Sequence, residues 1–214
     1  FGTVLEHILL QNLCAFYDVG EHNEMRLHGA DWNDALDMAW EKGESVAFTC
    51  AYAGNLRNIA KTLRQLEEIS GSSKIEIAHE MEDLLAGSVE LYEDAARKQA
   101  LLAGYAKKCE HNISGDTIVV RLDQLAANLE GKADWMMKNI RANEWVKDGE
   151  DGWFNGYYDN HGRKVEGVMD ESVRMMLTGQ VFAIMSGTAT EDQVESICRS
   201  ADKYLYDQKA GGRS

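Results

Sequence analysis

The sequence predicts an all-α chain, an array of helical hairpins with one β-hairpin insertion. Three observations carry that expectation. Proline is absent from all 214 residues, where average usage of about 5% would place roughly ten, so nothing in the composition breaks a helix interior. Apolar residues recur at helical spacing in six or so long stretches, and no period-2 sheet pattern stands out. Aromatic residues flank an Asx/Gly turn in one place only, at Trp153 to Val165.

Taken in order, Thr3 to Tyr17 places Val4, Leu5, Ile8, Leu9, Leu13 and Phe16 on one helical face. A polar stretch, Gly20 to Glu24, leads into His28-Gly29-Ala30-Asp31-Trp32-Asn33-Asp34-Ala35-Leu36-Asp37. Glu44 to Glu68 reads as a helix whose early turns carry Ala47, Cys50, Ala51, Ala53 and Gly54, small enough for another backbone to approach closely. Ser73 to Lys108 continues the helical pattern through Ile77, Met81, Leu84, Leu85 and Leu91, with a break near Gly87. Leu122 to Trp145 is a fourth helical stretch. The hairpin turns at Asp159-Asn160-His161-Gly162, helix resumes from Glu171 to Met185, and a last helix follows Thr190, whose spacing to Gln193 fits a capping box. Residues 1–214 read as a single helical fragment, because the chain starts at Phe1 and stops at Gly-Gly-Arg-Ser.

A net charge of -14 argues against nucleic acid and against an anionic membrane face as partners, since both need clustered Lys and Arg. No stretch reaches the 18 or so apolar residues of a membrane span. Cys14, Cys50, Cys109 and Cys198 form no Cys-x-x-Cys pair and read as reduced, mostly core residues of a cytoplasmic protein.

The Asp31-Trp32-Asn33-Asp34 run holds the inventory of a sugar-processing site. An indole face stacks on the C–H face of a pyranose, Asn and Asp bind hydroxyls, and a carboxylic acid can protonate a glycosidic oxygen. A plainer reading fits the same spacing: Asp31 caps a helix and Asp34 completes a capping-box-like pair. The two conflict on one point, because a first-turn carboxylate is favoured in its charged form whereas a general acid must keep its proton. Raising an Asp from about 3.9 to about 6.5 costs roughly 3.5 kcal/mol, which burial and a neighbouring anion can supply. Asp31 and Asp34 one helical turn apart would also suit a retaining hydrolase pair. A metal site from His22, His28, Asp31 and Asp34 lacks ligand spacing, so no metal is expected. A helical carbohydrate-binding module without catalysis is a further alternative.

Thr3-Val4-Leu5-Glu6-His7-Ile8-Leu9-Leu10, then Asp31-Trp32-Asn33-Asp34, then Gly43-Glu44-Ser45-Val46 form an order that resembles the cellobiose and chitobiose phosphorylase family. Trp153-Phe154-x-x-Tyr157-Tyr158-Asp159 with Gly162 looks like that family's hairpin, and Gln180-x-Phe182-Ala183-Ile184-Met185-Ser186-Gly187 like one of its helices. Gly71 to Glu144 matches only as helical filler. The resemblance implies an (α/α)6 toroid of which this chain would be about half. It also implies inverting phosphorolysis of a β-glucoside, giving an α-sugar 1-phosphate. Asp34 would be the general acid and Trp32 would line the donor-sugar subsite, with Asp31 a hydroxyl ligand or a cap. Inorganic phosphate would be co-substrate and no cofactor is implied; a homo-oligomer is compatible. Ala30, Ala35 and Phe182 depart from the family pattern of Gly, Gly and Trp, which puts the acceptor and linkage in doubt. Phosphate is itself a nucleophile, so a phosphorylase needs one well-placed acid where an inverting hydrolase needs an acid and a base.

Overall fold

The computed structural model describes residues 2–28, 38–169, 172–209 and 211–213. In chain order the elements are α1 (Val4–Tyr17), β1 (Met25–Arg26), β2 (Glu44–Ser45), α2 (Val46–Ser70), β3 (Lys74–Ala78), a 3-10 turn (His79–Leu85), α3 (Val89–Tyr92), α4 (Ala95–Cys109), β4 (Thr117–Arg121) and α5 (Leu122–Asn143). They continue with β5 (Trp145–Asp148), β6 (Asp151–Phe154), β7 (Tyr157–Tyr158), β8 (Gly167–Val168), β9 (Val173–Arg174), α6 (Leu177–Met185), α7 (Glu191–Tyr204), β10 (Tyr206–Asp207) and β11 (Gly212–Arg213). Contacts divide the chain into unit 1, Phe1–Asn23 with Asn55–Trp135, and unit 2, Glu24–Gly54 with Met136–Ser214.

Unit 1 is built on α1, the later part of α2, α4 and the first half of α5. Thr3 starts α1 through a capping box: Glu6 N donates to Thr3 Oγ1 at 3.1 Å and Thr3 N to Glu6 Oε2 at 2.6 Å. The core centres on Phe16, fully buried, with edge-on rings of Tyr17 at 4.9 Å, Tyr92 at 5.1 Å and Trp135 at 6.4 Å. Leu9, Leu13, Leu56, Leu63 and Leu129 fill the space between the helices.

Unit 2 packs α6 and α7 against the β5–β6 hairpin, around Trp153, Phe154, Ile140, Ile197 and Ala201. Gly152 faces Trp145 across that hairpin, where a Cβ would lie 2.5 Å from the indole. The small residues of early α2 permit the close approach expected of them. At Gly54 an added Cβ would stand 3.0 Å from both Cα and Cβ of Ser186.

The all-α class is corrected. Helix accounts for 56% and strand for 17% of the described residues, with one three-stranded sheet and four two-stranded ones among them. Lys74-Ile75-Glu76-Ile77-Ala78, placed by the helical reading inside Ser73–Lys108, alternates with period 2 and pairs antiparallel with β4 through five residue pairs. The alternation is short, and its partner lies some forty residues away. The hairpin also shifts. The regular ladder is Trp145↔Phe154 to Asp148↔Asp151, upstream of the predicted turn. Around Asp159–Gly162 the turn is closed by a Tyr158↔Lys164 bridge and by bonds from Asp159 N to Arg163 O at 2.9 Å and from Val165 N to Tyr157 O at 3.0 Å, while the ladder of β7 is the one it forms with β2. Helix α6 begins at Leu177, since Val173–Arg174 is taken up by the ladder with β8. Of the four free cysteines only Cys50 is buried, and Cys198 is exposed, so the expectation of a mostly core set does not hold.

Candidate active site

Asp31, Trp32 and Asp34, with Ala30 and Ala35, lie outside the described residues. The frame that holds their segment is described, and all of it belongs to unit 2. Strands β1 and β2 pair as Met25↔Ser45 and Arg26↔Glu44, and Leu27 N donates to Gly43 O at 3.0 Å. The chain therefore leaves this ladder at Leu27 and rejoins it at Gly43. His28, where it leaves, has φ 48°, a left-handed backbone that non-glycine residues adopt at a cost. On the return side Ala39 O accepts from Gly43 N at 2.9 Å, and Gly43 is obligatory there because a Cβ would meet that oxygen at 2.2 Å.

Strand β2 carries the frame onward to β7, through Glu44↔Tyr158 and Ser45↔Tyr157. The Gln180 block joins by its side chain. Gln180, fully buried on α6, accepts from Phe154 N at 2.8 Å through Oε1 and donates to Phe154 O at 2.7 Å through Nε2. An amide makes that two-way pairing with a peptide unit because it carries one donor and one acceptor side by side. Phe182, two residues on, meets Phe48 of α2 edge-on at 6.1 Å. Three of the sequence blocks that carried the family resemblance thus meet: the β1–β2–β7 sheet joins two of them, and α6 is tied to Phe154 at the end of β6 and packs through Phe182 beside Tyr157.

Beneath this framework lie carboxylates that sequence reasoning did not single out. Glu144, 1% exposed, accepts from Tyr158 Oη at 2.8 Å, from Asn155 Nδ2 at 3.2 Å, and pairs with Lys164 Nζ at 3.3 Å. Glu44 Oε2 accepts from Glu24 N at 3.0 Å, and Glu24 Oε1 from Asn139 Nδ2 at 3.2 Å. Burial first, then the Glu144 charge, holds the Tyr158 hydroxyl far above the ordinary tyrosine value, so it keeps the proton it donates to Glu144. Glu166 accepts from Gly156 N and Met176 N, each at 2.8 Å. Burial nevertheless pushes its carboxyl up to about 8, against the pull of those two amides. The signal for these residues in the sequence was weak: Glu44 sat in a quoted block, Glu24 and Glu144 closed a polar stretch and a helical one, and Glu166 stood in no motif. Desolvation is a tertiary property that no local spacing reports.

Elsewhere, a groove of about 400 Å3 in unit 1 is lined by Leu5, Ile8, Asn12, Asn55, Asn58, Ile59, Thr62, Leu63 and Leu66. It offers no ionisable group and no chemistry. Among the described residues no three His, Cys, Asp or Glu side chains are placed to hold a metal ion, and no helix is long and apolar enough to cross a membrane.

Comparison with known proteins finds similarity to carbohydrate-processing proteins. Residues 120–212 match the model of the glycosyl hydrolase 94 superfamily, catalytic domain. That match takes in the Trp153–Asp159 and Gln180–Gly187 blocks and leaves Asp31–Asp34 outside it. The chain is also similar to solabiose phosphorylase of Paenibacillus borealis, 25% identical over 206 residues, which is 95% of this chain. The chain spans 19% of that relative's length. The resemblance to the cellobiose and chitobiose phosphorylases read from the residues is thus met by a match to a glycosyl hydrolase 94 catalytic domain and by a phosphorylase relative.

Proposed function

We propose that this chain is part of the catalytic domain of an inverting glycoside phosphorylase, a glycosyltransferase-type enzyme that cleaves a β-linked glucan or disaccharide with inorganic phosphate to give an α-sugar 1-phosphate. The observation that carries the reading is the joining of the blocks. The β1–β2 ladder that brackets Asp31–Asp34 in sequence pairs directly with the Tyr157–Tyr158 strand, and Gln180 ties α6 to Phe154, at the end of β6 and three residues before that strand.

In this mechanism Asp34 gives its proton to the glycosidic oxygen as the bond breaks, and phosphate attacks the anomeric carbon from the opposite face. Inversion follows from that single displacement. Trp32 stacks on the donor sugar and Asp31 binds a hydroxyl or caps the local chain. Phosphate needs no activating base, so one acid suffices. The phosphate-binding groups are not assigned to residues of this chain. A cytoplasmic location rests on the four free thiols.

The test uses the whole protein to which this chain belongs. Sugar 1-phosphate is expected from a β-glucoside only when inorganic phosphate is present, with the α anomer appearing first by NMR. Equal release of free sugar without phosphate would favour hydrolysis instead. Asp34→Asn, which keeps shape and hydrogen bonding but loses the transferable proton, should lower phosphorolysis and synthesis at least about 100-fold. Asp31→Asn should be milder, because Asn caps and binds hydroxyls as well as Asp does. The reverse order of effects would move the acid to Asp31.

A further inference from the structure

Helix α6 carries no charged side chain along its nine residues. Its inner face has partners. Gly179, Gln180 and Ala183 are buried, and Gly179 lies so close to Gly156 that an added Cβ would stand 3.0 Å from the Gly156 Cα. Its outer face has none. The four exposed residues of α6, Leu177 at 39%, Val181 at 41%, Ile184 at 38% and Met185 at 76%, are all apolar. They fall at i, i+4, i+7 and i+8, a single stripe about 12 Å long. Helix α7 of the same unit shows what a face turned to water looks like in this chain. Its exposed positions, from Glu191 and Asp192 to Asp202 and Lys203, are charged everywhere but at Cys198. A helix that is apolar on both sides is one that packs on both sides.

We propose that the outer face of α6 is a docking surface filled by an apolar segment of the same polypeptide from outside residues 1–214. This rests on the reading above of the chain as part of a larger catalytic domain. Two observations select that occupant over a second copy of the chain. The alignment with solabiose phosphorylase takes in 95% of this chain but 19% of that relative, so most of the relative's length has no counterpart here and is available as cover. The patch is also small: at these exposures the four side chains present on the order of 400 Å2, about half of the roughly 800 Å2 that each partner of a stable dimer buries. A segment of the same polypeptide needs no such area, because the connecting chain holds it at high effective concentration. The stripe also sets the chemistry of its cover. Leu177, Val181, Ile184 and Met185 offer no charge and no strong donor or acceptor, so the facing segment presents aliphatic or aromatic side chains, and two turns of helix suffice to span them.

The experiment uses the whole protein, with the photoreactive residue p-benzoyl-L-phenylalanine replacing Val181, Met185 or, as a control on α7, Glu195. After irradiation the crosslinked peptides are mapped by mass spectrometry. Both α6 positions should crosslink to peptides outside residues 1–214, in a product with the mass of one chain, and the Glu195 position should give none of these crosslinks. Crosslinks confined to residues 1–214, a product with the mass of two chains, the same crosslinks from Glu195, or no crosslink from either α6 position would each overturn the proposal. The wild type supplies a second measurement that no bulky side chain can disturb. Met185 should form its sulfoxide in dilute hydrogen peroxide at least about 10-fold more slowly in the native whole protein than in urea, because oxidation follows exposure. Equal rates would mean a bare face and would overturn the docking. Turnover is read separately: a wild type without phosphorolysis ends the enzymatic reading, and the crosslinks still decide what covers α6.

Discussion

Unit 1 buries ammonium groups against ring faces and carbonyl oxygens, whereas unit 2 buries carboxylates, Glu44 and Glu166 against backbone N–H groups and Glu144 against side-chain donors. In unit 1, Lys132 is fully buried, with Nζ donating to Ala86 O at 2.9 Å and Asn128 Oδ1 at 2.7 Å. Phe16, Tyr17 and Tyr92 stand 5.4 to 5.8 Å from it by ring centroid. Lys98 approaches the Phe16 ring at 4.1 Å. In unit 2, Glu166 is held by the amides of Gly156 and Met176 and so pins β8–β9 and the start of α6 to the residues between β6 and β7. The difference lies in what each unit ties together. The lysines of unit 1 knit its helices to the segments beside them, while the carboxylates of unit 2 brace the strands that flank the Asp31–Asp34 segment in sequence.

The sharpest way to test that contrast is pH, because the two buried groups act with opposite sign. Burial pulls Lys132 from its ordinary value of 10.5 down to about 7. Between pH 7 and 10.5 the unfolded chain therefore binds the extra proton, and stability rises with pH across that window. Glu166 is raised from 4.5 to about 8, so the folded chain binds the extra proton between those values and stability falls as pH rises. Each effect is on the order of 4 kcal/mol over its window. Lys132→Met should stabilise relative to wild type at pH 6 and lose that advantage by pH 10. Glu166→Gln should show its advantage at pH 9 and none at pH 5. Urea denaturation across pH checks both, and parallel curves for the two variants would abolish the contrast.

A smaller effect is expected where the framework of unit 2 is pinned by a neutral group. Gln180→Ala leaves the N–H and C=O of Phe154 without their partner and opens a cavity, which should cost about 2 to 4 kcal/mol. Gln180→Glu should cost a comparable amount, because a carboxylate accepts from Phe154 N but cannot donate to Phe154 O. Chemical denaturation measures each, and a loss below about 1 kcal/mol for both would show that Gln180 does not hold β6.

How far these features could be read from the sequence follows the range of the forces behind them. Helices α1, α2, α5 and α7 were legible because their apolar stripes repeat within each helix, and the Thr190–Gln193 box because both partners lie in one turn. The Lys74–Ala78 strand was missed because five alternating residues match a helical pattern nearly as well until Thr117–Arg121 supplies the ladder. Two-residue strands such as β1, β2 and β7 have no period at all. The candidate site divides the same way. Asp31, Trp32 and Asp34 stood out by residue type, and their own placement lies outside the described residues. Asn160 stood in a turn motif, but the bonds that its Oδ1 accepts from Glu41 N and Lys42 N span more than a hundred residues of sequence.

The smallest contrast sets the two capping boxes side by side. Gln193 Oε1 accepts only from Thr190 N, at 3.0 Å, so Gln193→Ala removes one exposed bond and should cost about 0.5 to 1 kcal/mol. Glu6 makes the matching bond to Thr3 N through Oε2 and uses Oε1 to accept from Ala78 N at 2.7 Å, at the end of the β3–β4 ladder. The second bond is charge-assisted and leaves a half-buried amide without an acceptor when it is lost. Glu6→Ala should therefore cost about 1 kcal/mol more than Gln193→Ala in urea titrations at neutral pH. Below pH 4 the gap should shrink, because the donors around Glu6 hold its carboxyl below the usual glutamate value and protonation cancels that advantage. Equal costs for the two substitutions at neutral pH would mean that the bond from Ala78 to Glu6 adds nothing to the ladder it closes.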